Sequence, residues 1–292
     1  MAKEKDRDSE ILQRLGEWKQ KNGTLPQSVE IYAELLRLQI ELKARLTVPK
    51  PDLTEETVAD QLRQGLPLLR FDDLLPHWHL VEDQFQTVIN ILAEHLAGEP
   101  GAAQGLRNIA SNTTLLHQVV SDWYQGRSLS SIATEECVSE YLLSAAIQAA
   151  LRPFLAAHSE VLLKSVKQEL WRRKYCPVCG GKPDFAFLDR ERGARWLLCS
   201  RCDAQWLFQR LECPYCGTQN QDSLAYFTDD EELYRLYICE ECRSYIKAID
   251  LRRTEAEVLL PLERIATVDL DRQAEEAGYK AGWTNATPLG VK

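Results

Sequence analysis

Eight of the nine cysteines in this chain of 292 residues form four Cys-x-x-Cys pairs, all within residues 176–242. The pairs are Cys176 with Cys179, Cys199 with Cys202, Cys213 with Cys216, and Cys239 with Cys242. Two cysteines separated by two residues in a tight turn can direct both sulfur atoms at one ion. In a reducing compartment such pairs serve metal or redox chemistry more often than structural disulfides. The sequence therefore predicts that this part of the chain folds around metal ions.

The pairs combine into two quartets of similar layout, which suggests an internal duplication. Quartet 1 consists of Cys176, Cys179, Cys199 and Cys202, and quartet 2 consists of Cys213, Cys216, Cys239 and Cys242; nineteen and twenty-two residues separate their pairs. Two turns at the ends of a β-hairpin can supply a tetrahedral four-thiolate site, which suits zinc or a single iron of rubredoxin type. A glycine follows Cys179 and Cys216, and we expect it to adopt a positive φ. We predict two bound metal ions, iron or zinc.

Neither quartet has a nearby imidazole ligand, because all five histidines precede residue 172. A site closed by four thiolates leaves no open position for a catalytic water molecule. The chain also lacks the glycine-rich phosphate loops of nucleotide-binding enzymes. We therefore expect structural or electron-carrying metals and no catalytic residues.

Several alternatives stay open at the level of sequence. The pairs could form disulfides or thioredoxin-like redox centres, although no βαβ pattern surrounds them. The quartets could exchange pairs, because only ten residues separate Cys202 from Cys213, and four cysteines can also hold an iron–sulfur cluster. Cys137 is interpreted as an ordinary helix residue, and His77 and His79 as structural residues. The aromatic residues expected to form a small core around the metals are Trp196, Trp206, Phe208, Tyr226, Tyr237 and Tyr245.

The pattern of apolar residues changes once along the chain. It is helical over about the first 170 residues, whereas short β-type runs begin near residue 172. We predict an α+β protein with a helical domain at 1–171, two tandem rubredoxin-like or zinc-ribbon modules at 172–250, and a helical segment and tail at 251–292. The helical pattern from Ser130 to Leu170 is expected to split or kink at Pro153.

Charge and hydropathy exclude some classes of protein. The formal net charge is −9, and residues 174–250 contain ten basic and thirteen acidic residues, which disfavours binding to nucleic acid. The first eight residues carry charges of both signs and lead into no apolar run, so we expect no secretory signal. The most apolar stretch, from Tyr141 to Leu163, is interrupted by polar residues and is not expected to cross a membrane. These features predict a cytoplasmic protein.

Four stretches around the cysteines carry a wider resemblance: Tyr175–Pro183, Arg195–Trp206, Gln209–Gly217 and Ile238–Lys247. Together with Val268–Asp271, Glu276–Tyr279 and Gly65–Phe71, they resemble the formate dehydrogenase accessory proteins of the FdhE type. The resemblance implies a cytoplasmic protein that assists formation of active formate dehydrogenase by contacting its molybdenum- or tungsten-containing catalytic subunit. It also implies that the eight paired cysteines hold iron in rubredoxin-like knuckles.

Two other functions compete with this interpretation. Iron in four-thiolate sites could carry electrons or sense oxygen, which would make the chain a rubredoxin-like redox protein. A zinc-ribbon protein could also bind nucleic acid, although the acidic balance argues against it. The sequence leaves the oligomeric state unknown.

Overall fold

The computed structural model of the protein describes residues 2–22, 27–49, 53–95 and 100–283. Contacts between Cα atoms divide the chain into two compact units, described here over those residues only. The helical unit comprises 25–46 and 70–155, and the cysteine unit comprises 1–24, 47–69 and 156–283. The linear division at residues 171 and 250 stays a prediction, and the last part of the predicted tail, 284–292, lies outside the described residues.

The predicted helical character of the first part of the chain is confirmed. The helices are α1 (Ala2–Asn22), α2 (Gln27–Lys43), α3 (Glu55–Gln64), α4 (Trp78–His95), α5 (Pro100–Ser111), α6 (Thr113–Tyr124), α7 (Ser130–Glu135), α8 (Glu140–Leu162), α9 (Leu260–Ala266) and α10 (Val268–Glu276). Short 3-10 helices occur at Phe71–His77, Leu163–Ser165, Gln168–Leu170, Gln221–Ser223 and Leu251–Arg253. Within the described residues, no helix has both the length and the apolar character that a membrane span requires.

The core of the helical unit forms where amphipathic helices turn their apolar faces to one another. In α4, Val81, Phe85 and Val88 recur at intervals of four and three residues, so they share one helix face, and all three are buried. α4 packs against α2 and α5, and α5 packs against α6. Gly105 permits a close approach, because a Cβ atom there would lie 1.8 Å from the carbonyl oxygen of Glu136.

The expected split at Pro153 does not occur, because α8 continues through this residue, and a kink there stays a prediction. Proline removes the N–H group that would bond to the carbonyl oxygen of Ala149. The buried Gln39 side chain replaces that donor, with 2.9 Å between its Nε2 and the oxygen of Ala149. The Ser130–Leu170 pattern is interrupted at residues 136–139 instead, where Cys137 is exposed and adopts φ 53°. Cys137 is therefore a turn residue and not a helix residue.

The cysteine unit is built on one sheet. Its strands are β1 (Pro183–Leu188), β2 (Arg195–Cys199), β3 (Gln205–Leu207), β4 (Leu224–Thr228), β5 (Tyr234–Cys239), β6 (Ser244–Asp250) and β7 (Lys280–Ala281). The order is β3-β2-β1-β6-β5-β4, and β7 pairs with the start of β6. Module 1 (β1–β3) and module 2 (β4–β6) are antiparallel within themselves and join through the parallel pair β1–β6. The repeated strand order supports the predicted duplication.

Two clusters of buried apolar residues lie on one face of the sheet, because the strand register places Phe185, Ile249 and Leu236 on the same side. One cluster joins Phe185, Leu198 and Ile249 to Leu260 of α9, and another joins Leu236 and Ile238 to Ala274 of α10. The two C-terminal helices therefore belong to the core of the cysteine unit. Among the aromatic residues predicted for this core, Trp206, Phe208 and Tyr245 are buried. Tyr226 is not a core residue, because it lies on the edge strand β4 and is 52% exposed.

Candidate metal centre

The structure brings the eight paired cysteines together in the sequential quartets. Within each quartet all four Sγ atoms lie within 4.8 Å of one another. The distance is 3.5 Å between the Sγ atoms of Cys176 and Cys202 and also between those of Cys179 and Cys199. In quartet 2 the corresponding two distances are both 3.7 Å. The crossed pairing is not the one observed, and Cys137 lies in neither quartet.

These separations fit a metal ion and not a disulfide. A tetrahedron with sulfur about 2.3 Å from zinc has edges of about 3.8 Å, whereas a disulfide would bring two sulfur atoms to about 2.05 Å. None of the eight cysteines forms a disulfide. Each quartet can therefore hold one ion, and the same four-thiolate set suits zinc or iron. Neither quartet includes a histidine or carboxylate among its ligand atoms.

The same local geometry recurs in all four Cys-x-x-Cys turns. Backbone N–H groups inside the turns donate to cysteine sulfur, as Val178 does to Cys176 at 3.3 Å and Tyr215 to Cys213 at 3.4 Å. The residue after each pair has a positive φ, and these residues are Gly180 (73°), Asp203 (59°), Gly217 (85°) and Arg243 (53°). The prediction for the two glycines is confirmed. The other two positions show that the turn imposes this conformation on residues with side chains as well.

The electrostatics of quartet 1 couple metal binding to proton release. Burial raises the pKa of the Cys176 and Cys202 thiols well above the usual value. Without an ion, these thiols would carry their protons at neutral pH. Because a metal binds thiolates, loading the site must release protons, and the binding free energy then stabilises the folded turns.

Other parts of the cysteine unit cover quartet 1, and all four of its cysteines are buried. The backbone N–H groups of Leu68 and Leu69 donate to the carbonyl oxygens of Pro177 and Val178 at 3.0 and 2.9 Å. The segment Gly65–Leu69, which helical or strand periodicity does not identify, therefore forms a lid on the first turn. The only sign of this segment in the sequence is that Gly65–Phe71 is one of the stretches that resemble FdhE proteins.

Arg264 of α9 holds the second turn of quartet 1. Its guanidinium donates to the carbonyl oxygen of Cys199 at 2.7 Å and to Asp184 Oδ1 at 2.8 Å, and it also pairs with Asp203. The arginine side chain is only 6% exposed. No sequence motif marks Arg264, because its partners lie about sixty to eighty residues away along the chain.

Quartet 2 is less covered. Cys216 is exposed and Cys242 is intermediate in exposure. In place of a backbone segment, the Lys174 ammonium donates to the carbonyl oxygens of Tyr215 and Cys216 at 3.2 and 3.1 Å. An ion in quartet 2 would therefore be more accessible to solvent than one in quartet 1.

Comparison with known proteins places this geometry in a family. The FdhE homolog of Aquifex aeolicus strain VF5 is 30% identical over 281 residues, which cover 95% of this chain and 93% of that protein. This chain belongs to the FdhE family. The family model of the FdhE central domain matches residues 175–210, which include quartet 1. The resemblance stated from the sequence is confirmed.

Two further FdhE proteins extend the comparison. FdhE of Escherichia coli O127:H6 is 28% identical over 110 residues, or 37% of this chain and 35% of that protein. The crystal structure of the FdhE protein from Pseudomonas aeruginosa matches with a TM-score of 0.59 at 22% identity, covering 97% of this chain and 96% of that chain. The α+β fold of this chain is thus also found in an FdhE protein of known structure.

Proposed function

We propose that this chain is a cytoplasmic, non-catalytic accessory protein that binds the molybdenum- or tungsten-containing catalytic subunit of formate dehydrogenase during formation of the active enzyme. Membership of the FdhE family is the observation that carries this proposal. The two closed quartets support the non-catalytic part, because four thiolates around one ion leave no position for a substrate.

The eight cysteines act in this proposal as ligands of two metal ions, Cys176, Cys179, Cys199 and Cys202 at one and Cys213, Cys216, Cys239 and Cys242 at the other. Bound metal supplies a cross-link between the two turns of each module. The chain itself fixes those turns through the N–H donors, the left-handed residues and the lid described above. The metals then organise a surface that a partner recognises, without taking part in a reaction.

Deletion of the gene tests the function. Formate dehydrogenase activity should be lost while the catalytic polypeptide is still made. A plasmid copy should restore activity, and a copy carrying Cys213→Ser should restore less because quartet 2 cannot close. Cys137→Ser is the matched control, since Cys137 lies outside both quartets. Normal activity in the deletion strain would refute the accessory role.

Elemental analysis of protein purified without oxygen tests the ligands. Wild type and Cys137→Ser should contain about two metal ions per chain, and Cys213→Ser about one. Full metal content in Cys213→Ser would remove that cysteine from the ligand set. Visible thiolate-to-iron absorption would identify iron, and a colourless protein with two zinc ions would identify zinc.

The exposure of Cys216 favours one second candidate, a redox or oxygen-sensing role at quartet 2. That role requires iron and predicts visible absorption that bleaches reversibly on reduction. Zinc in quartet 2 would exclude it while leaving the accessory role intact.

A further inference from the structure

The sheet of the cysteine unit ends at β4, and no strand of the described residues pairs with the outer side of β4. The hydrogen bonds Glu240 N–H to Ser223 oxygen and Asp229 N–H to Tyr234 oxygen fix which residues bond to β5. Because antiparallel pairs alternate, the N–H and C=O groups of Tyr226 and Thr228 point away from β5. This edge offers backbone hydrogen bonds to another strand.

The corresponding strand of module 1 shows that an edge of this kind can pair with a further strand. β1 has the place in module 1 that β4 has in module 2, since each pairs antiparallel with the second strand of its module. The outer side of β1 is filled by β6, and five of the six β1 residues are buried. The outer side of β4 is open, and its residues are exposed except for Leu224, which is partly buried. β4 therefore has the edge that receives a strand elsewhere in the same sheet.

An aromatic side chain stands beside a cavity on each face of β4. On one face, Tyr226 lies next to Tyr237, with 5.4 Å between ring centroids, and both line a cavity of about 160 Å³ together with the exposed Leu211. On the other face, Phe227 is 59% exposed and lines a cavity of about 280 Å³ with Leu270 of α10. A strand added to β4 would place alternate side chains over these two cavities.

The charge around β4 selects the partner. Residues 222–241 contain seven acidic residues and one basic residue, Arg235, which is buried and paired with Asp250 at 2.7 Å. Three exposed arginines also lie nearby: Arg253 pairs with Glu232, Arg243 pairs with Glu240, and Arg210 lines the cavity beside Tyr226. The acidic residues still outnumber the basic ones. The acidic residues lie at both ends of the β4–β5 hairpin: Asp222, Glu240 and Glu241 at one end and Asp229, Asp230, Glu231 and Glu232 at the other. Two copies joined edge to edge would bring like charges together in either orientation. Basic residues flanking an apolar strand would complement them.

We propose that the open edge of β4 binds an extended segment of a partner protein, a strand of alternating apolar residues flanked by basic residues. The identification of that partner as the catalytic subunit of formate dehydrogenase rests on the proposed function. The edge itself is defined by the fold and can be tested with a synthetic probe.

The first experiment uses a soluble peptide of alternating valine and threonine with lysines at both ends, and a counterpart with glutamates at both ends. The full-length, metal-loaded chain should bind the lysine peptide and not the glutamate peptide. Amide exchange resolved by NMR should slow at Tyr226 and Thr228 and stay unchanged at Ala225 and Phe227, which already bond to β5. Absence of binding, or equal binding of both peptides, would overturn the proposal.

Thr228→Pro and Thr228→Val form a matched pair for the same assay. Proline removes the outward N–H group of residue 228, to which β5 does not bond. Valine keeps this N–H group and has a strand preference similar to that of threonine. The proline variant should bind the lysine peptide about tenfold more weakly than the valine variant. Equal affinities contradict the proposal. A dimer in wild type that Thr228→Pro dissociates would show that a second copy occupies the edge, and would overturn it too.

The second experiment measures binding of the purified catalytic subunit of formate dehydrogenase. If wild type and Thr228→Val bind it and Thr228→Pro does not, both proposals gain support. If all three bind equally, the edge is not the docking site although the accessory function stands. If none binds, the proposed function fails, and the peptide experiment alone decides whether β4 accepts a strand.

Discussion

Replacing Arg264 with methionine should destabilise the cysteine unit strongly. The arginine is 6% exposed, and it pairs with Asp184, which is 14% exposed, and with Asp203, which is 29% exposed. Methionine keeps much of the apolar stem but leaves both carboxylates and the carbonyl oxygen of Cys199 without this donor. Breaking a buried ion pair by removing one partner costs about 3 to 5 kcal/mol. With a urea slope of about 2 kcal/mol per molar, the unfolding midpoint should fall by about 1.5 to 2.5 M.

The assay is urea unfolding of metal-loaded protein, followed by tryptophan fluorescence. Arg272→Met is the control, because the Arg272–Asp269 pair is 69% and 72% exposed and such pairs contribute less than about 1 kcal/mol. Adding Asp184→Asn to Arg264→Met should recover part of the loss, since an amide is cheaper to leave unpaired than a carboxylate. Equal midpoints for the Arg264 and Arg272 variants would refute the reasoning.

Three further results are expected. Burial would raise the pKa of Asp250, but hydrogen bonds from Arg252 hold this pKa below its usual value. The carboxylate therefore contributes to stability above about pH 4, and this contribution is lost at lower pH. The difference in unfolding free energy between wild type and Asp250→Asn, measured by urea unfolding, should narrow below about pH 4. Gly105→Ala should lower the melting temperature, because the added Cβ atom would clash with the carbonyl oxygen of Glu136. Gly16→Ala should raise it, because a Cβ atom there would meet no atom within 4 Å beyond its chain neighbours and the backbone of its own helix. A colorimetric chelator should remove metal from quartet 2 before quartet 1. Alkylation followed by mass spectrometry should find that the cysteines of quartet 2 are modified first. The reverse order would contradict the inference that quartet 2 is the more exposed site.

The sequence predicts the local parts of the candidate site and misses the long-range ones. Quartet membership follows from spacing, because each pair occupies one turn and each module is one antiparallel unit. The helix does not split at Pro153, and Gln39, more than a hundred residues earlier, supplies the missing donor to Ala149. The lid at Gly65–Leu69 and the clamp by Arg264 likewise depend on contacts across the fold. Periodicity and spacing report on residues that are close in sequence, and they do not indicate contacts between residues that are far apart in sequence.

The two modules share a strand order but differ in exposure, and this difference links the metal site of module 2 to the proposed binding edge. β6 covers the β1 edge of module 1, whereas the corresponding β4 edge of module 2 and its Cys216 are exposed. The β4–β5 hairpin lies between the two Cys-x-x-Cys pairs of quartet 2, and Leu224 pairs directly with Cys239. Loss of the ion from quartet 2 should release the end of this hairpin where β4 begins and β5 ends, and should thereby loosen the open edge. Cys216→Ser should therefore weaken binding of the lysine peptide while quartet 1 keeps its metal, and unchanged affinity in that variant would separate the edge from the metal site.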